Sequence, residues 1–180
     1  MSDHVFQTWL RRQHDDGQVL ASQSDLLDLV AFSSDRFMAR FSCRGLVRRA
    51  SGAIVEADAF SVGIWFPSDY LRIAPHPAHV LTWLGPREIW HPNISSEAPL
   101  ICVGHFAPGT SLVDLLYQVF EIITWRKVTM REDDALNREA CQWARNHPSR
   151  YPVDRRPLKR RTLDLLVRET AGLRRPHDVE

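Results

Sequence analysis

Residues 91–103 read HPNISSEAPLICV and place His91, Asn93 and Cys102 within a dozen positions. Proline, serine and asparagine are frequent in turns, so this stretch is predicted to be irregular rather than one helix or strand. Apolar residues flank it on both sides, so we expect both of its ends to be attached to a hydrophobic core. A thiol and a carboxamide that are held together on a loop indicate a candidate site.

The composition around this stretch is that of an ordinary globular protein. The chain has 180 residues, of which 44% are hydrophobic and 25% are charged, which is typical of one core in one domain. We therefore predict a single domain over residues 1–180. Within it we distinguish an N-terminal helical segment (1–35) and a basic C-terminal helical extension (148–180).

Cellular location is predicted from apolar runs and cysteine usage. No apolar run has the length that crosses a bilayer, and the first residues lack the basic and apolar regions of a signal peptide. Three widely spaced cysteines make a disulfide framework improbable and favour a reducing compartment. The prediction is a cytoplasmic protein that has no membrane partner.

The net charge of +1 is unevenly distributed. Residues 145–180 contain ten Arg and Lys against five Asp and Glu, a net of +5, which leaves about −4 for residues 1–144. A basic tail can bind nucleic acid or an acidic protein. A solvated helix face with long charged side chains is the favoured interpretation, so nucleic acid is not an expected partner.

Hydrophobic periodicity predicts a helix, then strands, then helices. In the first half we expect helices and strands at these positions: helices at Asp3–Gln13 and Ser24–Val30, strands at Phe37–Val47 and Ile54–Phe66 joined by a turn at 50–52, and a short strand at His79–Leu84. The first helix is predicted to end at residues 14–17, which include a glycine.

In the second half, Ser111 is a plausible N-cap for a strongly amphipathic helix that ends near Arg126-Lys127. A further helix is predicted to open at Glu132-Asp133-Asp134 and to end before Pro148, and a last one covers about 158–173. Strands grouped before helices indicate an α+β fold, in which the helices pack on one face of an antiparallel sheet.

Several interpretations of Cys102 are open at this point. A free cysteine between apolar neighbours is commonly a buried core residue. His105 lies three residues on and could activate the thiol as in a cysteine hydrolase. Together with His76, His79 and His91 these two residues could also supply metal ligands, but the spacings match no closed zinc pattern, and no metal is expected. Cys43 and Cys141 are interpreted as core or surface thiols.

Asn93 likewise has two interpretations. After a proline it is ordinarily a turn residue. Its amide could instead donate a hydrogen bond to a carbonyl oxygen that gains negative charge during acyl transfer.

Several motifs in the correct order resemble those of ubiquitin-conjugating enzymes. The resemblance covers about residues 36–147 and rests on these motifs: Phe66-Pro67-Ser68-Asp69-Tyr70 with Pro75, His91-Pro92-Asn93-Ile94, Ile101-Cys102-Val103, Phe106-Ala107-Pro108, and residues 134–140. The resemblance implies the fold of that family, which has an N-terminal helix, a β-meander, an irregular active-site segment and C-terminal helices.

The resemblance also implies an activity. Cys102 would accept a ubiquitin-like protein as a thioester from an activating enzyme and pass it to an amine or other nucleophile of a protein target. Asn93 would stabilise the oxyanion, the carbonyl oxygen that gains negative charge during transfer, and His91 would brace the His91-Pro92-Asn93 tripeptide. Asp134 (or Asp133) would orient the attacking amine. Arg11 and Arg12 lie on the helix that corresponds to the one on which the family docks its activating enzyme, and Pro108 lies in a loop that corresponds in position, though not in sequence, to one that meets ligases. No cofactor is implied.

The departures from the family pattern concern the loops. Leu71 stands where the family usually has proline, the stretch from His91 to Cys102 is about one residue longer than usual, and the loop between Cys102 and Pro108 is short. Such divergence is more similar to bacterial ubiquitin-conjugating-like proteins, some of which serve antiviral defence. Two alternatives remain: a binding module of this fold that has lost catalysis, and a Cys102/His105 hydrolase.

Overall fold

The computed structural model describes residues 3–105 and 107–160. It contains four α-helices and six strands within those ranges: α1 (His4–Ser22), β1 (Leu27–Ser33), β2 (Arg36–Phe41), β3 (Gly45–Arg48), β4 (Ile54–Ala57), β5 (Phe60–Trp65), α2 (Pro77–Val80), β6 (Leu81–Gly85), α3 (Leu112–Ile123) and α4 (Arg138–Asn146). Short 3-10 turns occupy Glu132–Asp134 and Pro148–Arg150.

The strands form two antiparallel sheets. The larger one has the order β1-β2-β5-β6, and β3 and β4 make a separate hairpin. The main core joins the inner residues of the larger sheet to α1 and α3, while a second cluster around Trp125 lies against α4. The α+β prediction is confirmed. Within the described residues, none of the helices is long and apolar enough to cross a membrane.

α1 is longer than predicted, because Gly17 does not end it. A Cβ at Gly17 would lie 2.7 Å from a Leu29 methyl and 2.9 Å from a Leu112 methyl. The glycine is therefore a point of close packing between α1 and its neighbours. Gln13 reinforces this contact, since its side-chain oxygen accepts a 2.9 Å hydrogen bond from the Leu112 N–H at the start of α3.

The helix predicted at Ser24–Val30 is wrong. Residues from Leu27 form β1, which pairs antiparallel with β2 from Leu27 opposite Phe41 to Ala31 opposite Phe37. Ser24 accepts a hydrogen bond from the Leu26 N–H in a tight turn, not from a helix N-terminus. Leucines have high helix propensity, but pairing with a buried neighbour strand overrides a local preference of this size.

Both long predicted strands are interrupted. The first breaks between β2 and β3, where the Arg44 N–H donates to the buried Asp154 carboxylate at 2.9 Å. The second breaks between β4 and β5. Burial raises the pKa of Asp154, but hydrogen bonds from Arg156 and from backbone N–H groups outweigh burial and hold it below its ordinary value. A contact from 110 residues away therefore shapes the first break.

The remaining elements follow the predictions with small changes. The turn at 50–52 joins β3 to β4, Ser111 caps α3 by accepting from the Asp114 N–H, and α4 ends before Pro148. The predicted strand at 79–84 begins with one turn of helix, α2. The acidic run at 132–134 is a separate 3-10 turn, and α4 starts only at Arg138. Residues 158–160 are not helical, and the rest of the predicted last helix lies outside the described residues.

Candidate active site

The 91–103 stretch is attached to both sheets. At its start the Trp90 N–H donates to Leu46 O of β3 at 2.8 Å, and near its far end the Trp83 N–H of β6 donates to Pro99 O at 3.0 Å. Its apolar flanks are buried as expected. The irregular segment is thus held between two strands that belong to different sheets.

Asn93 and Cys102 are paired through their backbones and through the amide side chain. The Cys102 N–H donates to Asn93 O at 2.7 Å, and the next residues, Ile94 and Ile101, form an antiparallel bridge. Asn93 Nδ2 donates to Cys102 O at 3.0 Å, while Asn93 Oδ1 accepts from the Thr129 N–H at 2.9 Å. Asn93 is only 4% exposed. The amide therefore ties the cysteine strand to the segment that follows α3.

The extra length between Asn93 and Cys102 lies at the tip of this pairing. The Ser95 N–H donates to Leu100 O at 3.0 Å, and the Ser95 hydroxyl accepts from the N–H groups of Glu97 and Ala98. The added residues form a closed turn beyond the bridge. They do not separate the carboxamide from the cysteine backbone.

His91 is a buried brace. Its ring is fully buried, its Nδ1 accepts from the Asn93 N–H at 3.0 Å, and it contacts the Trp125 ring edge-to-face at a centroid distance of 4.6 Å. Burial lowers the pKa of His91 to about 3, so the ring is neutral at pH 7. Below, "the brace" means His91, Asn93, the Thr129 N–H and the Cys102 backbone.

Exposure distinguishes the three thiols. Cys43 and Cys141 are buried, whereas Cys102 is partly exposed. Burial raises the pKa of Cys43 to about 12, and burial also raises the pKa of Cys141, whose sulfur donates to Thr129 O. Since the thiolate is the nucleophile, neither buried thiol is suited to attack. Cys102 is the thiol that a reagent can reach.

Cys102 lies in a small groove of about 270 Å³, which we call the Cys102 groove. Much of its wall is apolar and comes from Pro77 and Ala78 of α2, Leu100 and Leu136. Two histidines, His76 and His105, also line the groove. Next to it, Lys127 Nζ donates to Val103 O at 2.6 Å and holds the chain that leaves Cys102.

Asp134 lies near this groove but is not part of its wall. It is exposed on the 3-10 turn and pairs with Arg131 at 3.4 Å. Leu136 is the residue of this segment that lines the groove, because its N–H donates to Pro92 O at 2.9 Å and draws the chain against the tripeptide.

The predicted partner-binding residues lie away from the groove wall. Arg11 and Arg12 are exposed on α1, where Arg11 donates to the Thr8 hydroxyl and Arg12 pairs with Asp16 at 3.5 Å. Pro108 is exposed in a turn that is fixed to Tyr70, whose backbone oxygen accepts from the Gly109 N–H at 3.1 Å. Phe106 of the same motif lies outside the described residues.

The metal interpretation gains no support from the described part of the chain. No group of three or more His, Cys, Asp or Glu side chains there is arranged to hold a metal ion. His91 in particular is buried and uses Nδ1 to accept a backbone hydrogen bond.

Sequence comparisons find no match, but structural comparisons find proteins of similar fold. The sequence matches no protein-family model and no curated protein. The E2 domain of a Toxoplasma gondii ubiquitin-conjugating enzyme superposes with a TM-score of 0.50 at 20% identity and covers 79% of this chain and 89% of that one. A Plasmodium yoelii structure described as a ubiquitin-conjugating enzyme gives 0.53 at 16% identity over 85% and 90% of the two chains. The chain has the ubiquitin-conjugating fold.

Within this ubiquitin-conjugating fold, the predicted His91-Pro92-Asn93 tripeptide and Cys102 lie together. Two other contributors, Thr129 and Lys127, were missed, and His76 was considered only as a possible metal ligand. Thr129 and Lys127 act on the site through the segment after α3, and His76 comes from the turn before α2. Thr129 and Lys127 carry no local motif, so no sequence signal indicates them. For His76, the repeated histidines of Pro75-His76-Pro77-Ala78-His79 were a readable signal.

Proposed function

We propose that this protein is a conjugating enzyme that carries a ubiquitin-like protein as a thioester on Cys102. An activating enzyme would supply the modifier, and an amine or other nucleophile of a protein target would receive it. The observation that carries the proposal is the partly exposed Cys102 lining an apolar groove, tied by backbone and side-chain hydrogen bonds to the buried Asn93. The fold supports the proposal.

The chemistry requires position more than strong acid or base. In transfer, the attacking nitrogen bonds to the thioester carbon, the carbon–sulfur bond breaks, and Cys102 leaves as a thiolate. A thiolate is a good leaving group, so a rigid site that orients the attacker and stabilises transient negative charge is sufficient. The brace supplies this rigidity, because it fixes the Cys102 backbone on two sides.

Asn93 retains a donor for the oxyanion. A carboxamide has two N–H donors, and one of them is used on Cys102 O. We propose that the other N–H donates to the negatively charged oxygen of the tetrahedral intermediate. Asn93→Ala should then raise the activation free energy of transfer to an amine by about 2–4 kcal/mol, while charging is largely kept. Equal transfer rates in Asn93→Ala and the parent would leave Asn93 a bracing role alone.

The other site assignments extend the proposal to partners. Asp134 would orient the incoming amine from the edge of the groove, and α1 with Arg11 and Arg12 would meet the activating enzyme. The Pro108 turn would face a ligase. Charge reversal of both arginines should weaken charging by the activating enzyme without changing transfer from the loaded protein.

The decisive experiment is a charging assay. The protein is incubated with a candidate activating enzyme, its ubiquitin-like modifier and ATP, and a non-reducing gel is examined for an adduct that thiol reductant removes. Cys102→Ala should abolish the adduct, and Cys102→Ser should give an ester that resists reductant. Cys43→Ala and Cys141→Ala are matched controls that should charge normally.

Two results would overturn the proposal. One is the lack of an adduct with every cognate pair of activating enzyme and modifier, which is the result expected of a binding module without catalysis. The other is an adduct that survives Cys102→Ala. Hydrolysis of a model ester by the protein alone, lost in Cys102→Ala and His105→Ala, would support a Cys102/His105 hydrolase instead.

A further inference from the structure

The titratable groups that line the Cys102 groove are histidines and the thiol. Besides Cys102, the lining residues that can change charge are His76 and His105, and the rest of the wall is apolar or glycine. Asp134 lies outside this wall and pairs with Arg131. Lys127 lies next to the groove, where its Nζ donates a hydrogen bond to the backbone oxygen of Val103. An amine that enters the groove thus meets imidazole rather than carboxylate.

An attacking amine must lose a proton during transfer. An ammonium group has no lone pair with which to attack, and the nitrogen that has bonded to the carbonyl carbon must shed a proton before the amide is complete. Imidazole is the side chain whose ordinary protonation range lies between pH 5 and 8, so it can accept this proton at neutral pH.

The two histidines are not equivalent. His76 Nδ1 accepts from the Ala78 N–H at 3.3 Å, so the neutral ring carries its proton on Nε2 and presents a donor. Its ring also lies against His79 at a centroid distance of 5.8 Å. The His105 ring is exposed and makes no hydrogen bond to the described residues. His105 therefore has a lone pair available, whereas that of His76 is engaged.

We propose that His105 accepts the proton of the attacking amine during transfer from Cys102. This inference rests on the proposed function and names the proton acceptor of the same site. The nitrogen–carbon bond forms as the carbon–sulfur bond breaks, the proton moves from nitrogen to the His105 ring, and Cys102 leaves as a thiolate. The ring then returns its proton to the thiolate or to water.

The test uses a modifier-independent probe. A synthetic peptide thioester that ends in glycine is exchanged onto Cys102, and transfer of the peptide to free lysine is followed by intact mass from pH 5.5 to 8.5. The parent is compared with His105→Gln, His76→Gln and Asp134→Asn. His76→Gln is the matched control, because it removes an imidazole from the same groove.

We expect His105→Gln to slow transfer at pH 7 by about 10²-fold and to remove the inflection of the rate between pH 5 and 8. His76→Gln and Asp134→Asn should keep that inflection. A parent-like rate and pH profile in His105→Gln would overturn the inference, as would loss of the inflection in Asp134→Asn. If charging is normal and His105→Gln has the transfer rate and pH profile of the parent, this inference alone is refuted. If charging fails, the proposed function is refuted.

A second, independent observation is the scarcity of lysine. The chain has 23 Arg and Lys, and only Lys127 and Lys159 are lysines, which leaves 21 arginines. Arginine keeps the positive charge, but its guanidinium is not deprotonated in proteins and does not attack thioesters. Lys127 is the lysine beside the groove, and its Nζ is held on Val103 O at 2.6 Å.

We infer that arginine replaces lysine in this chain so that the protein carrying the thioester does not acylate itself. This inference too rests on the proposed function. The test introduces one amine with Arg138→Lys, since Arg138 lines a separate pocket that shares Leu136 with the Cys102 groove, and one on β2 with Arg40→Lys as the matched control. Both proteins are loaded with the same peptide thioester, and reductant-resistant mass gain is measured without added amine.

Arg138→Lys should self-acylate several times faster than the parent and than Arg40→Lys. Peptide mapping should place the new amide on residue 138. Equal, parent-like self-acylation in both variants would overturn the inference. Because loading by exchange needs no activating enzyme, this result is independent of whether the charging assay succeeds.

Discussion

The two sides of Cys102 are built in opposite ways. On the brace side, the polar groups of Asn93 and the His91 Nδ1 are engaged in hydrogen bonds and both residues are buried. On the groove side, Leu100 and Leu136 are 36% and 39% exposed, and His105 is exposed. The contrast indicates that one side holds the Cys102 backbone in place, while the other leaves a partly exposed groove that would receive the substrate under the proposed function. Substitutions should therefore cost stability on the brace side and rate on the groove side.

The largest effect on stability is expected from protonation of His91 at acid pH. His91 has a pKa of about 3 when folded, against about 6.5 for an unfolded histidine. As the pH falls between these values, the unfolded chain binds a proton that the folded chain does not, so stability is lost. From pH 6.5 to 4 this amounts to about 3 kcal/mol for one such group.

His91→Asn is the control for this prediction, because an amide oxygen can replace Nδ1 as acceptor but cannot be protonated. Urea unfolding at several pH values should give a shallower loss of stability in His91→Asn than in the parent over this range. Parallel curves for the two proteins would show that His91 is not buried as a neutral ring.

Asn93→Ala should give the next largest loss of stability. It leaves Cys102 O and the Thr129 N–H without their partner, and a buried unpaired polar group costs about 1–3 kcal/mol. We expect a loss of about 2 kcal/mol in the free energy of unfolding, measured by urea denaturation. Asn93→Asp should fall between parent and Ala, since its oxygen can still accept from Thr129. A loss below about 0.5 kcal/mol in Asn93→Ala would contradict the brace.

Ser95→Ala should have a smaller effect. It removes the hydroxyl that accepts from two N–H groups at the tip of the loop, at an expected cost of about 1 kcal/mol. Because the tip lies beyond the Ile94–Ile101 bridge, exchange of the peptide thioester onto Cys102 should be unchanged. Slower exchange would mean that the tip helps to position the sulfur.

The smallest effect on stability is expected from His105→Gln. The ring is exposed and makes no hydrogen bond to described residues, so the free energy of unfolding should stay within about 0.5 kcal/mol of the parent. The same urea measurement checks this. A large loss would place His105 on the brace side and weaken its proposed role in proton transfer.

Local patterns were sufficient for the elements that depend on local interactions. The Ser111 cap and wide apolar face predicted α3, the Gly52 turn predicted the β3–β4 hairpin, and Pro148 predicted the end of α4. The same kind of reasoning failed for β1, where the alternation of buried Leu27 and Leu29 with exposed Asp28 was readable but the leucine content suggested a helix. Long-range pairing decided that segment.

The amino-acid sequence alone was enough to indicate the α+β fold class, and the resemblance of its ordered motifs to a known family implied Cys102 as the candidate nucleophile. These depend on periodicity, turn chemistry and short motifs, which are local properties. The three-dimensional structure was needed for the continuation of α1 through Gly17, the break held by Asp154, the pairing of Asn93 with Cys102 and the histidines of the groove. Each of these arises from contacts between residues distant in the chain or from the packing around one of them, and such contacts exist only after folding.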